Sequence, residues 1–169
     1  MITLSTLPPD YDQILPRVDR AEVRLLWPSG WYDGPIDGLL LYQGKKYWFL
    51  QRYDDLIQRK RTDEEGVVWV DHFARCLIID ISSEQLEERE YWHELFEEKV
   101  HAFHFDKDER LISGKPPRDT WKEFYDLVED RPTLDLSQNV VVGWFELLWG
   151  SIEEEELDES RGWVENLED

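Results

Sequence analysis

LLLYQGKKYWFLQRY, residues 39–53, is the stretch on which the class of fold turns. β-Formers stand on both sides of Gln43-Gly44-Lys45, and a glycine between two such runs marks a tight hairpin. Upstream, Val23, Leu25 and Trp27 alternate with Glu22, Arg24 and Leu26, the period of two of a half-buried strand. Trp27-Pro-Ser-Gly is expected to break that run, and Asp33-Gly34 and Asp37-Gly38 read as turns, because Asp and Gly tolerate positive φ. Before it, Pro8, Pro9 and Pro16 predict an extended arm.

Downstream, residues 54–66 carry Arg59-Lys60-Arg61 and then Asp63-Glu64-Glu65-Gly66, a charged loop or hairpin tip. Val67–Val70 and Cys76–Ile81 predict one or two more strands. Ser82 with Gln85 has capping-box spacing and opens a helix expected to reach Phe103, with Trp92, Phe96, Val100 and Phe103 as its stripe. After Pro116 and Pro117, Thr120 with Glu123 opens a second helix, whose apolar face is Trp121, Phe124, Tyr125 and Val128, and Pro132 stops it. Val140–Trp149 is the most apolar strand and should be central or well covered. Strands, two helices and a closing strand predict an α+β domain over 1–150, an antiparallel sheet of five or six strands with two helices packed on one face. Residues 151–169, with nine acids and one base, form an acidic C-terminal tail, pinned by Trp163 and Leu167 if at all.

Composition narrows the function classes. The chain has 169 residues and a formal charge of −20, with 39 acids against 19 bases. Phosphate backbones are gripped by Lys and Arg, so direct binding to nucleic acid or an anionic membrane is not expected. On a compact sphere of about 20 Å, that charge attracts a unit cation by ~4 kcal/mol in unscreened water and ~1 kcal/mol at physiological salt. The longest uncharged stretch, Leu136–Phe145, is half of what a spanning helix needs. The single cysteine, Cys76, and a start without a signal-peptide pattern give a cytoplasmic expectation.

Catalytic signatures are few. His93, Glu97, His101 and His104, at spacings of 4, 4 and 3, would share a helix face, and a His/carboxylate pair at i, i+4 can hold a divalent metal. A solvated polar face explains the same spacing, and no partner motif stands on the second helix. Asp33 and Asp37, with Asp54 and Asp55 at the end of the hairpin, could converge for acid/base work or bind Ca²⁺, but turn geometry explains the two Asp-Gly dipeptides first. No nucleophile elbow or phosphate-cradling loop is present, and Cys76, inside an apolar run, reads as core. No cofactor is expected.

Nine tryptophans are more than a core of this size needs, and Trp31-Tyr32 falls in a turn region. Indoles ringed by acids make a protein-binding face. The leading expectation is a protein-binding module, in its most concrete form an inhibitor or immunity-type protein that blocks a basic, nucleic-acid-handling partner. Trp31 and Tyr32 would be its anchors, and Glu87, Glu88, Glu94, Glu97 and Glu98 with Glu153, Glu154, Glu155 and Glu156 would imitate a row of phosphates. In size, charge and expected architecture the chain resembles the small acidic α+β immunity proteins of bacterial toxin systems; no motif carries that likeness and no residue roles transfer. The alternatives are a small metal-dependent hydrolase using the histidine face, and an accessory domain with no charge-specific partner.

Overall fold

The computed structural model describes residues 1–31, 34–114 and 119–156, and the backbone of Leu167 and Glu168. Tyr32, Asp33, Pro116, Pro117, Trp163 and most of the acidic tail lie outside the described residues.

Five strands form an antiparallel sheet in the order β1 (Val23–Trp31), β2 (Pro35–Tyr42), β3 (Lys45–Thr62), β4 (Val68–Ile79) and β7 (Val141–Glu153). A small hairpin of β5 (Phe103–Phe105) and β6 (Leu111–Ser113), a four-residue helix α1 (Tyr11–Ile14) and helices α2 (Ser83–Lys99) and α3 (Trp121–Val128) complete an α+β fold. The backbone of β8 (Leu167–Glu168) pairs in parallel with Gln58 and Arg59 of β3.

The central hairpin turns at Gln43-Gly44, both with positive φ, and Tyr42 pairs with Lys45. Asp37-Gly38 is not a turn but lies inside β2. A Cβ at position 38 would sit 2.2 Å from the Trp27 carbonyl oxygen and 2.8 Å from Pro28 Cα, so this glycine serves close approach between β1 and β2. Trp27-Pro-Ser-Gly does not end β1 either. β1 ends the strand order, where a missing ladder donor is tolerated, and the register shifts on either side of Pro28 absorb it.

The expected loop at 54–66 is mostly strand. β3 runs on to Thr62 after an irregular step between Gln51 and Leu56, and β4 is continuous from Val68 to Ile79. The charges that make this stretch look like loop pair across strands. The true tip is short: the Asp63 carboxylate accepts from Val67 N–H (2.9 Å), Glu65 N–H (3.0 Å) and the Trp69 indole (2.8 Å).

β7 is last in the strand order rather than central, and its outer edge is covered by the N-terminal arm. Thr3 bridges Val140, Arg17 bridges Trp144, and Val18 N–H donates to Trp144 O at 2.8 Å. Six residues beyond Arg17 the chain begins β1, the opposite edge. Six residues reach at most about 20 Å, less than the ~24 Å that five interstrand spacings would span if flat, so the sheet is curled. One side buries Trp27, Leu39, Trp48, Leu77, Ile79 and Trp144 beneath the arm and Leu86 of α2. The other buries Leu40, Phe49, Cys76, Ile78 and Phe145, closed by Val18, Val23 and Phe105. Cys76 is core, its thiol pushed up to about 12 by burial.

α2 begins with the expected capping box: Ser82 Oγ accepts from Gln85 N–H and Gln85 Oε1 from Ser82 N–H. It stops at Lys99, earlier than Phe103. The Thr120 hydroxyl, expected to cap α3, instead donates to the Lys99 carbonyl at 2.6 Å, and Glu97 accepts from Phe103 N–H at 2.8 Å. No described helix is long and apolar enough to cross a membrane.

Candidate functional surface

α2 is polar nearly all round, and each of its sides has a different task. Toward the sheet, the His93 ring stacks on Trp27 (centroids 4.1 Å apart, planes 4° apart), and Lys46 pairs with Glu90. Toward α3, Trp92 and Phe96 meet Phe124 edge-on, and Lys99 reaches Glu123 at 3.2 Å.

The outward side is Glu84, Glu87, Tyr91, Glu94 and Glu98, at steps of 3, 4, 3 and 4, and all five are exposed. That spacing returns to one helix face. The fourteen helical rises from Glu84 to Glu98 make a row about 21 Å long, with Tyr91 at its centre, 59% exposed. Among the described residues no cation pairs with Glu84, Glu87 or Glu94, while Glu98 lies 3.9 Å from Lys99. Like charges three and four residues apart repel along a helix, so this face is held at an electrostatic cost.

The acids singled out from sequence separate into groups. Glu87, Glu94 and Glu98 are on the outward row. Glu88 turns to Arg89 (3.2 Å). Glu97 points inward, accepting from Phe103 N–H and from His104 Nδ1–H at 2.5 Å, with His93 Nε2 3.6 Å away. Glu153–Glu156 belong to another part of the sheet: Glu153 of β7 pairs with Trp69 of β4, and Glu154 binds Lys60 at 2.5 Å. From Trp69 to Ile79, just ahead of α2, is about 33 Å of strand. Trp31 is 43% exposed, and its ring meets Phe103, which meets Phe96, so the indole is tied to the C-terminal half of α2. Tyr32 lies outside the described residues. Sequence reading overlooked Glu84 and Tyr91, although the 3-4-3-4 spacing was there to be found.

The histidines do not form a helix face, because the helix ends before two of them. His104 returns to Glu97 from β5, whereas His101 donates Nδ1–H to the Ala102 carbonyl and packs against Phe96 and Phe103. Burial behind Trp27 drives the His93 pKa down to about 4, leaving a neutral ring at pH 7; nearby Glu97 opposes that shift and His104 adds to it. Glu97 is held below its ordinary range, its backbone and His104 hydrogen bonds outweighing burial. Among the described residues, no group of three or more His, Cys, Asp or Glu is arranged to hold a metal ion. Nor do the aspartates of 37–55 converge: Asp37 accepts from Gly30 N–H (2.6 Å), Asp54 pairs with Arg52 (2.9 Å), and Asp55 pairs with Arg75 (2.7 Å).

No family model, curated protein or solved structure matches the chain, so a reading of its function starts from this geometry.

Proposed function

We propose that the chain is a protein-binding module whose outward α2 face docks a cationic protein, and that its finer role is to block a basic, nucleic-acid-handling partner. The observation that carries the reading is the exposed row Glu84, Glu87, Tyr91, Glu94 and Glu98. A cationic surface laid along the row relieves its repulsion and gains Coulomb energy, and Tyr91 supplies apolar area with a polar tip. Trp31, at the C-terminal half of the helix, is the second aromatic anchor. The net charge of −20 steers such a partner in and keeps nucleic acid and anionic lipid away. The cytoplasm is the compartment that suits this role.

The test is capture of proteins from the source cell by the full chain, eluted in steps of rising salt and identified by mass spectrometry. Basic proteins are expected to bind at low salt. They should be lost with Glu87→Lys/Glu94→Lys, a variant whose circular dichroism matches the parent. Capture that ignores both salt and charge reversal overturns the reading and leaves the accessory-domain alternative.

A further inference from the structure

We infer that the groove between β1, α2 and α3 binds a small planar aromatic carboxylate. The groove encloses about 210 Å³. Drug-sized sites run to roughly 300–1,000 Å³, so this one takes a ligand built around a single ring. Its walls are Trp92, Phe96, Phe103, Phe124 and Tyr125. These rings meet one another edge-on or tilted, as in Phe96 with Phe124 (5.2 Å, 77°) and Phe96 with Phe103 (6.2 Å, 60°). Edge-to-face packing is also how a further aromatic ring is received.

Two arginines stand at the polar end, beside the carboxyl groups of Glu88 and Asp37. Arg89 and Arg131 both line the groove. Arg89 is only 6% exposed; its Nη2 donates to the Pro132 carbonyl at 2.9 Å and faces Glu88 at 3.2 Å, while its buried Nε–H meets no acceptor. One N–H of a charged group buried without an acceptor is costly, and a carboxylate is the acceptor that best satisfies it. Arg131 makes no ion pair among the described residues. The other charges facing the pair are Glu88, which pairs with Arg89 itself, and Asp37, which accepts from Gly30 N–H and whose carboxyl is pushed above its ordinary range by burial. Of the other polar walls, Ser29 is uncharged and His93 is neutral at pH 7. The ligand therefore has an anionic head for two guanidinium groups and a flat apolar body for the rings.

The probe is benzoate, titrated into the full chain by NMR, with benzamide as its uncharged isostere and cyclohexanecarboxylate as its non-aromatic one. Benzoate should give saturable shifts at the Arg89 Nε–H and the Trp92 indole, with benzamide about tenfold weaker or worse, the worth of one charge-assisted hydrogen bond, and cyclohexanecarboxylate about fivefold weaker, the worth of one aromatic pair. Arg131→Ala, an exposed change that spares the fold, should weaken benzoate several-fold, and Arg89→Lys should weaken it further. Equal binding of benzamide, shifts confined to other residues, or no saturable shift by about 10 mM overturns the inference.

Discussion

Along β3 and β4 the cations meet anions of this same chain, whereas along the outward row of α2 Glu84, Glu87 and Glu94 meet no cation among the described residues. In the first region Arg52 pairs with Asp54, Arg59 with Glu146, Lys60 with Glu154, Arg61 with Asp71, and Arg75 with Asp55. Arg59-Lys60-Arg61, the only basic cluster in the sequence, is thus spent on internal pairs rather than offered to a phosphate. The two regions are comparably charged, but one neutralises itself and the other does not. A surplus of −20 is consequently not spread evenly. It is felt where the fold provides no answering charge, and a docking surface is defined by that difference rather than by the total.

The largest expected effect comes from breaking the self-neutralising region at its most buried anion. Glu146 is buried and receives both Arg59 and Arg17. Removing one member of a buried pair costs about 3–5 kcal/mol. Both arginines here retain a route to water, so Glu146→Ala should cost about 2–3 kcal/mol, read as a lower urea midpoint. Arg17→Ala, which removes the more exposed partner, should cost much less. Equal losses would show that Arg17, the exposed partner, carries the stabilisation and that burial with Arg59 adds nothing.

A smaller effect tests the inner side of α2. His93 holds its proton less tightly folded (about 4) than its ordinary 6.5. As pH falls below 6.5 the unfolded chain takes up a proton that the folded chain refuses, so stability should decline down to about 4 and level off there. Glu97, held below its ordinary range, adds its own loss only in the carboxylate range, so the upper half of the window belongs to the histidine. His93→Phe keeps a ring against Trp27 and should flatten urea midpoints across that half. An unchanged slope would assign the titration elsewhere.

The contrast also explains what was readable from sequence. The Gln43-Gly44 hairpin, the Ser82–Gln85 cap and the α+β order were legible because each rests on local chemistry: a permissive turn, a reciprocal hydrogen bond, a period. The strand at 56–62 was not, since Arg59, Lys60 and Arg61 look like loop until the acids that face them are known, and Glu146 is 87 residues away from Arg59. Gly38 misled for a similar reason, its purpose being set by the backbone of a neighbouring strand. In the candidate site the outward acids of α2 could be read from spacing. Glu97 could not, because its partners Phe103 and His104 come from beyond the end of the helix.

The smallest prediction sharpens the comparison most. Glu94 stands four residues before Glu98, and the two like charges repel along one face of α2. Glu94→Gln should therefore raise stability by about 0.3–0.5 kcal/mol at low ionic strength, and the gain should fade as salt screens the repulsion. Asp71→Asn, an equal change of charge within the hairpin, should do the reverse, because Asp71 receives Arg61 at 3.0 Å and the Ser151 hydroxyl at 2.6 Å. Thermal melts of the two variants across a salt series separate the cases. Opposite signs mean that neutralisation is local and that the α2 row is kept against its own stability. A shared sign would mean that only the total charge matters, and the row would lose its claim to be a docking face.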